Sequence, residues 1–85
     1  MDLRVTHEQF HAIETATHLP DVLKAVLQRA RSDGDGRILH LTYEEATALN
    51  ELCAWNVHTD AQGNTTPESQ VFDALVRAII THPDY

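Results

Sequence analysis

Basic side chains are scarce in this 85-residue chain: six Lys and Arg stand against thirteen Asp and Glu, a net charge of −7. That surplus repels phosphate backbones and anionic headgroups, which argues against a general nucleic-acid binder and an anionic-membrane binder. Long apolar runs are missing too. None approaches the ~20 residues that a bilayer span requires, so a soluble protein is expected. The opening residues, Met1-Asp2-Leu3-Arg4-Val5-Thr6, lack the basic and then apolar order of an export signal, and a cytoplasmic location is the expectation. Cysteine is limited to Cys53, which has no partner for an internal disulfide. Set among Leu49, Leu52 and Trp55, it is expected to be a buried, inert thiol. A glycine-rich phosphate loop, a G-x-S-x-G elbow and a CxxC pair are all absent.

What is present is an internal repeat. A shift of 36 places sets Leu3-Arg4-Val5-Thr6 over Leu39-His40-Leu41-Thr42, and a shift of 49 sets Val22-Leu23-Lys24-Ala25 over Val71-Phe72-Asp73-Ala74. Alternating aliphatic residues suit a short half-buried strand. Thr6 with Gln9, and Thr42 with Glu45, have capping-box spacing for a helix start. Pro20-Asp21 and Pro67-Glu68 read as proline at the first position of a second helix, followed by an acid facing the helix dipole. The pattern predicts strands near 2–5 and 37–41 and helices near 7–17, 20–31, 43–57 and 67–81.

The expected fold is a single domain over 1–85, mainly α (α+β). Two pseudo-symmetric strand-helix-helix units, 2–31 and 38–81, are joined by the loop 32–36 (Ser32-Asp33-Gly34-Asp35-Gly36), giving four helices and a two-stranded antiparallel ribbon. A chain of this length buries about 60% of its unfolded surface, enough for one core. Helical spacing assigns Leu23, Val26, Leu27, Leu49, Leu52, Trp55, Phe72, Leu75 and Ile79 to it. The second unit is thirteen residues longer, which leaves Asn56 to Thr66 as a polar insertion.

His7-Glu8-Gln9-Phe10-His11 spells H-E-x-x-H, in which two histidines one turn apart bind zinc and the glutamate activates the bound water. On a helix, His7, His11, Glu14 and His18 fall on one stripe roughly 60° wide, so these four are the candidate metal ligands. The same letters also serve as a capped helix start: Thr6 is the cap, Glu8 a first-turn acid, and Phe10, Ile13 and Ala16 face the core. The longer metzincin pattern fails, because Glu14 and Thr17 stand where its glycine and last histidine belong. Asp33-Gly34-Asp35-Gly36 matches the middle of a calcium loop, but Arg31 and Thr42 stand where its end carboxylates belong, so a turn feeding a strand is expected. His58 to Ser69, with Asp60 and Gly63, fits that template less well. Cys53 and His58 lie too close in sequence for their spacing alone to mark a catalytic dyad. Arg4, Lys24, Arg29, Arg31 and Arg37 read as a basic cluster near the inter-unit loop.

With no catalytic residue, cofactor or metal assigned, the expectation is a non-catalytic protein-interaction module, an adaptor, inhibitor or regulatory accessory protein. Its partner would be a protein rather than nucleic acid or membrane, and open sheet edges leave a homodimer as one assembly. The alternatives are a zinc-dependent hydrolase built on the HEQFH segment and an acidic mimic of nucleic acid.

Overall fold

The computed structural model describes residues 1–59 and 61–85. Its elements follow in the order β1 (Asp2–Thr6), α1 (His7–Glu14), α2 (Asp21–Arg29), β2 (Arg31–Asp33), β3 (Gly36–His40), α3 (Tyr43–Trp55) and α4 (Pro67–Ile80). Among the described residues these form an α+β fold of four helices and one antiparallel sheet with strand order β1-β3-β2. No helix among them is long and apolar enough to cross a membrane.

The two-stranded ribbon expected from the sequence is corrected to three strands. Ser32 and Asp33, read as linker, pair with Arg37 and Gly36 of β3. The cause is the two-residue loop Gly34-Asp35: Gly34 sits at φ 58, and a positive φ at the first central position reverses the chain tightly enough for the flanking residues to pair. Gly36 is required for a different reason, since a Cβ there would collide with the Val5 carbonyl oxygen. Across the sheet, Leu3 stands opposite Leu39 and Val5 opposite Arg37. Leu3, Val5 and Leu39 are buried on the helix side, while Asp2 and Arg4 alternate to the solvent side. There Arg4 Nε reaches over to Asp33 Oδ2 at 2.7 Å and ties the two edge strands together.

Both first helices start as expected. Thr6 Oγ1 accepts from Gln9 N–H at 3.1 Å while Gln9 Oε1 accepts from Thr6 N–H at 2.9 Å, and Thr42 with Glu45 repeats both bonds. The second helices differ in their starts. Thr66 caps α4 through its side chain with Pro67 at the first helical position, whereas Pro20 itself stands at the cap of α2 and offers no side-chain bond. Helix α1 stops at Glu14, three residues before the expected end, where Thr15 Oγ1 bonds back to the His11 carbonyl at 2.9 Å.

The core lies between the sheet and the helices. Helix α4 packs on α3, α1 and β1, and α2 packs on α3 and β3. Of the expected core, Leu23, Val26, Leu49, Leu52, Phe72, Leu75 and Ile79 are buried, and Leu27 is half-buried. Trp55 is the exception, 81% exposed. Its place in the expected core came from stepping Leu49, Leu52, Trp55 three residues at a time, which drifts about 60° per step around a helix. The buried side of α3 is set by Ala46, Leu49, Leu52 and Cys53, and Trp55 stands about 180° from Ala46.

The C-terminal segment closes back on the first strand. His82 Nε2 donates to the Asp2 carbonyl at 2.9 Å, and its Nδ1 accepts from Asp84 N–H at 3.1 Å, which fixes the ring tautomer. Tyr85 stacks on Tyr43 with ring centroids 5.4 Å apart. Leu75 of α4 is fully buried in the core, and Leu75→Ala should lower unfolding free energy by about 2–5 kcal/mol, measured by denaturant titration.

Candidate functional site

The zinc-motif residues do not form a four-ligand stripe. His7 opens α1 and Glu14 closes it, so His18 lies beyond the helix, in a left-handed backbone conformation at φ 63. All of His7, Glu8, His11, Glu14 and His18 are exposed. Among the described residues, no three His, Cys, Asp or Glu side chains are grouped closely enough to hold a metal ion. His18 is lost to the stripe for a local reason: α1 ends at Glu14, and the turn toward Pro20 takes this histidine off the helix.

The other sequence candidates also separate. Cys53 is fully buried, and burial pushes its thiol up to about 12, so it is protonated at neutral pH, while His58 is exposed. Asp33 belongs to β2 and Asp35 to the hairpin loop, the turn feeding a strand that was expected. In the second calcium-like segment Asp60 lies outside the described residues; Thr59 and Thr65 on either side of it form a single antiparallel bridge. The basic cluster is dispersed into pairs: Arg4 with Asp33, Lys24 with Asp21, Arg29 with Glu45. Arg37 instead lies over the Phe10 ring, 4.6 Å from its centroid.

What the fold does build is a pair of adjoining grooves. The first, about 570 Å³, lies between the α1–α2 turn (Thr17, His18, Pro20) and the stripe Ala48, Glu51, Leu52, Trp55 of α3. The second, about 400 Å³, lies between Glu8, His11 and Ala12 of α1 with Thr15 at its C-cap and Pro67, Glu68 and Val71 at the start of α4. Thr17 and Asn56 line both, so the two meet there. The walls from Ala48 to Trp55 and from Glu8 to Thr15 repeat at i, i+3, i+4 and i+7, which places the members of each on one face.

The junction is held by hydrogen bonds. Ser69, the buried polar residue of α4, accepts from His58 N–H at 2.7 Å and from Thr66 Oγ1 at 2.9 Å, and Asn56 Nδ2 donates to the Leu52 carbonyl at 2.8 Å. Sequence reasoning missed both Trp55 and Ser69 as groove-forming residues. For Trp55, the helical angle relative to Ala46 and Cys53 was available as a signal; for Ser69, the pairing with a loop eleven residues earlier carried none.

At the opposite end of α3, Glu45 ties the helix start to the end of α2. Its carboxylate accepts from Thr42 N–H at 2.9 Å and from Arg29 Nη2 at 3.1 Å. The bond from the Thr42 backbone, and then the Arg29 guanidinium, hold this carboxyl below its ordinary range.

No known protein family, curated protein or solved structure matches the chain.

A depressed folded-state pKa at Glu45 means stability that is present above the ordinary carboxylate range and lost as pH falls through the lower, folded value. Glu45→Gln keeps the capping acceptor, as Gln9 does in α1, and removes only the charge. It is expected to cost about 1 kcal/mol near neutral pH. The gap to the wild type should close on acidification below that range, as followed by denaturant melts across pH.

Proposed function

We propose that this chain is a small acidic protein-interaction module without catalytic activity, acting as an adaptor, inhibitor or regulatory accessory protein. The observation that carries the reading is Trp55, 81% exposed on the wall of an apolar groove. A large aromatic left in water forgoes the burial that would stabilise the fold, and tryptophan is the residue that most often anchors a protein interface. His18 supports the same reading, because a non-glycine residue at φ 63 costs about 1 kcal/mol or more and its side chain lines the same groove.

The scaffold is proposed to be two strand-helix-helix units, 2–31 and 38–81, related by a pseudo-two-fold axis. Supporting this, Leu3 stands opposite its repeat equivalent Leu39, and an exchange of units turns the pair Arg4↔Ile38 into His40↔Asp2, which is also present. Each second helix, moreover, packs on the first helix of the other unit: α4 on α1 and α2 on α3. On this reading the grooves lie where the repeat breaks, beside the insertion at Asn56 to Thr66.

Trp55→Ala tests the function. Because the side chain is exposed, stability should change by no more than about 0.5 kcal/mol. Affinity for a partner isolated from the native source and repurified should fall by about 2 kcal/mol or more, measured by calorimetry. A partner bound equally by wild type and Trp55→Ala would contradict the proposal.

A further inference from the structure

We propose that the grooves take a cationic amphipathic helix from a partner protein, its apolar side chains against Trp55 and Leu52 and its Lys or Arg side chains toward Glu51, Glu8 and Glu68. The inference rests on the interaction reading above and names the partner's chemistry.

Charge is the discriminating observation. Asp2, Asp21, Asp33, Glu45 and Asp73 each have a basic neighbour within ion-pair distance. Among the described residues, Glu8, Glu51 and Glu68 have none, as Glu14, Asp35, Glu44 and Asp84 have none elsewhere on the surface, and the first three are the carboxylates that line the grooves. No Lys or Arg lines either groove. Four of the six basic side chains are held in ion pairs elsewhere and Arg37 rests on Phe10. The grooves thus carry three carboxylates and no Lys or Arg of their own, and a bound cation there gains attraction without displacing an internal partner.

Shape selects the helix. The walls are stripes of two helical turns, Glu8 to Thr15 and Ala48 to Trp55, each about 10 Å long. A partner helix with anchors at i, i+3, i+4 and i+7 matches that repeat. A second copy of this chain does not fit, because each copy carries a charge of −7 and would set its own unpaired carboxylates against these. Nucleic acid and anionic bilayers are repelled for the same reason.

The probe is a Trp-free Leu/Lys peptide of about 14 residues, roughly 20 Å as a helix, with leucines on one face. It is titrated into the full chain while the emission of Trp55, the single tryptophan, is followed. Binding is expected to shift the emission to the blue and to weaken with salt. It should weaken at least tenfold in Glu51→Lys/Glu68→Lys, but less than threefold in Asp35→Lys/Asp84→Lys, which changes net charge equally away from the grooves. Glu51→Gln, a milder change, should lose affinity in the same direction if the double variant is misfolded by circular dichroism. Equal loss in both double variants would reduce the effect to general charge attraction and overturn the proposal. Equal binding of the matching Leu/Glu peptide would overturn it too. Two other outcomes would overturn the cationic helix while leaving the interaction reading intact: Trp55-dependent self-association in sedimentation, or a Trp55-dependent natural partner whose binding ignores salt.

Discussion

The pairing of β1 with β3 is the contact on which the other elements depend. It joins the first residues to the middle of the chain, Leu3 to Leu39, and thereby sets two helices running from opposite ends of the strand pair, each locked by its own capping box. A contact so distant in sequence costs loop-closure entropy, which the burial of Leu3, Val5 and Leu39 under the helices must offset. Its register is specified because a slip of one residue would turn Asp2 and Arg4 inward. The collision that any Cβ at Gly36 would make with Val5 shows how closely the strands approach at the far end of the pairing.

From that pairing follows the groove. With α1 and α3 fixed at their starts, α4 packs across both, and α2 packs on α3 and β3. The outer face of α3 beyond Ala48 is then left facing the α1–α2 turn rather than a helix, so Ala48, Glu51, Leu52 and Trp55 line open space. Charge follows the same division. Arg4 of β1 and Arg29 at the end of α2 are taken up in pairs with Asp33 and Glu45, while Glu8, Glu51 and Glu68 stand at the grooves without an ion-pair partner.

Much of this fold was legible in the sequence because local chemistry sets it. Thr6 and Thr42 announced their helices through side-chain bonds to residues three positions on, and alternating Leu and Val announced β1 and β3. Strand β2 was not legible as such: Arg31-Ser32-Asp33 has no apolar alternation, and only the hairpin bend at Gly34 brings it beside β3. The histidine stripe failed for a related reason. Its spacing assumed a helix continuing to His18, whereas Thr15 and Pro20 end one and start the next. Trp55 was misplaced because hydrophobicity alone does not tell a core residue from an exposed anchor; the direction set by Ala46, Leu49 and Cys53 does.

The central claim is that Trp55 stands in water on a groove wall rather than in the core, and fluorescence of the free protein tests it most directly. Trp55 is the single tryptophan, so its emission is unambiguous. The account predicts emission at the wavelength of a water-exposed indole and acrylamide quenching nearly as efficient as that of free tryptophan. Blue-shifted emission protected from acrylamide in the folded monomer would place Trp55 in the core and contradict the groove.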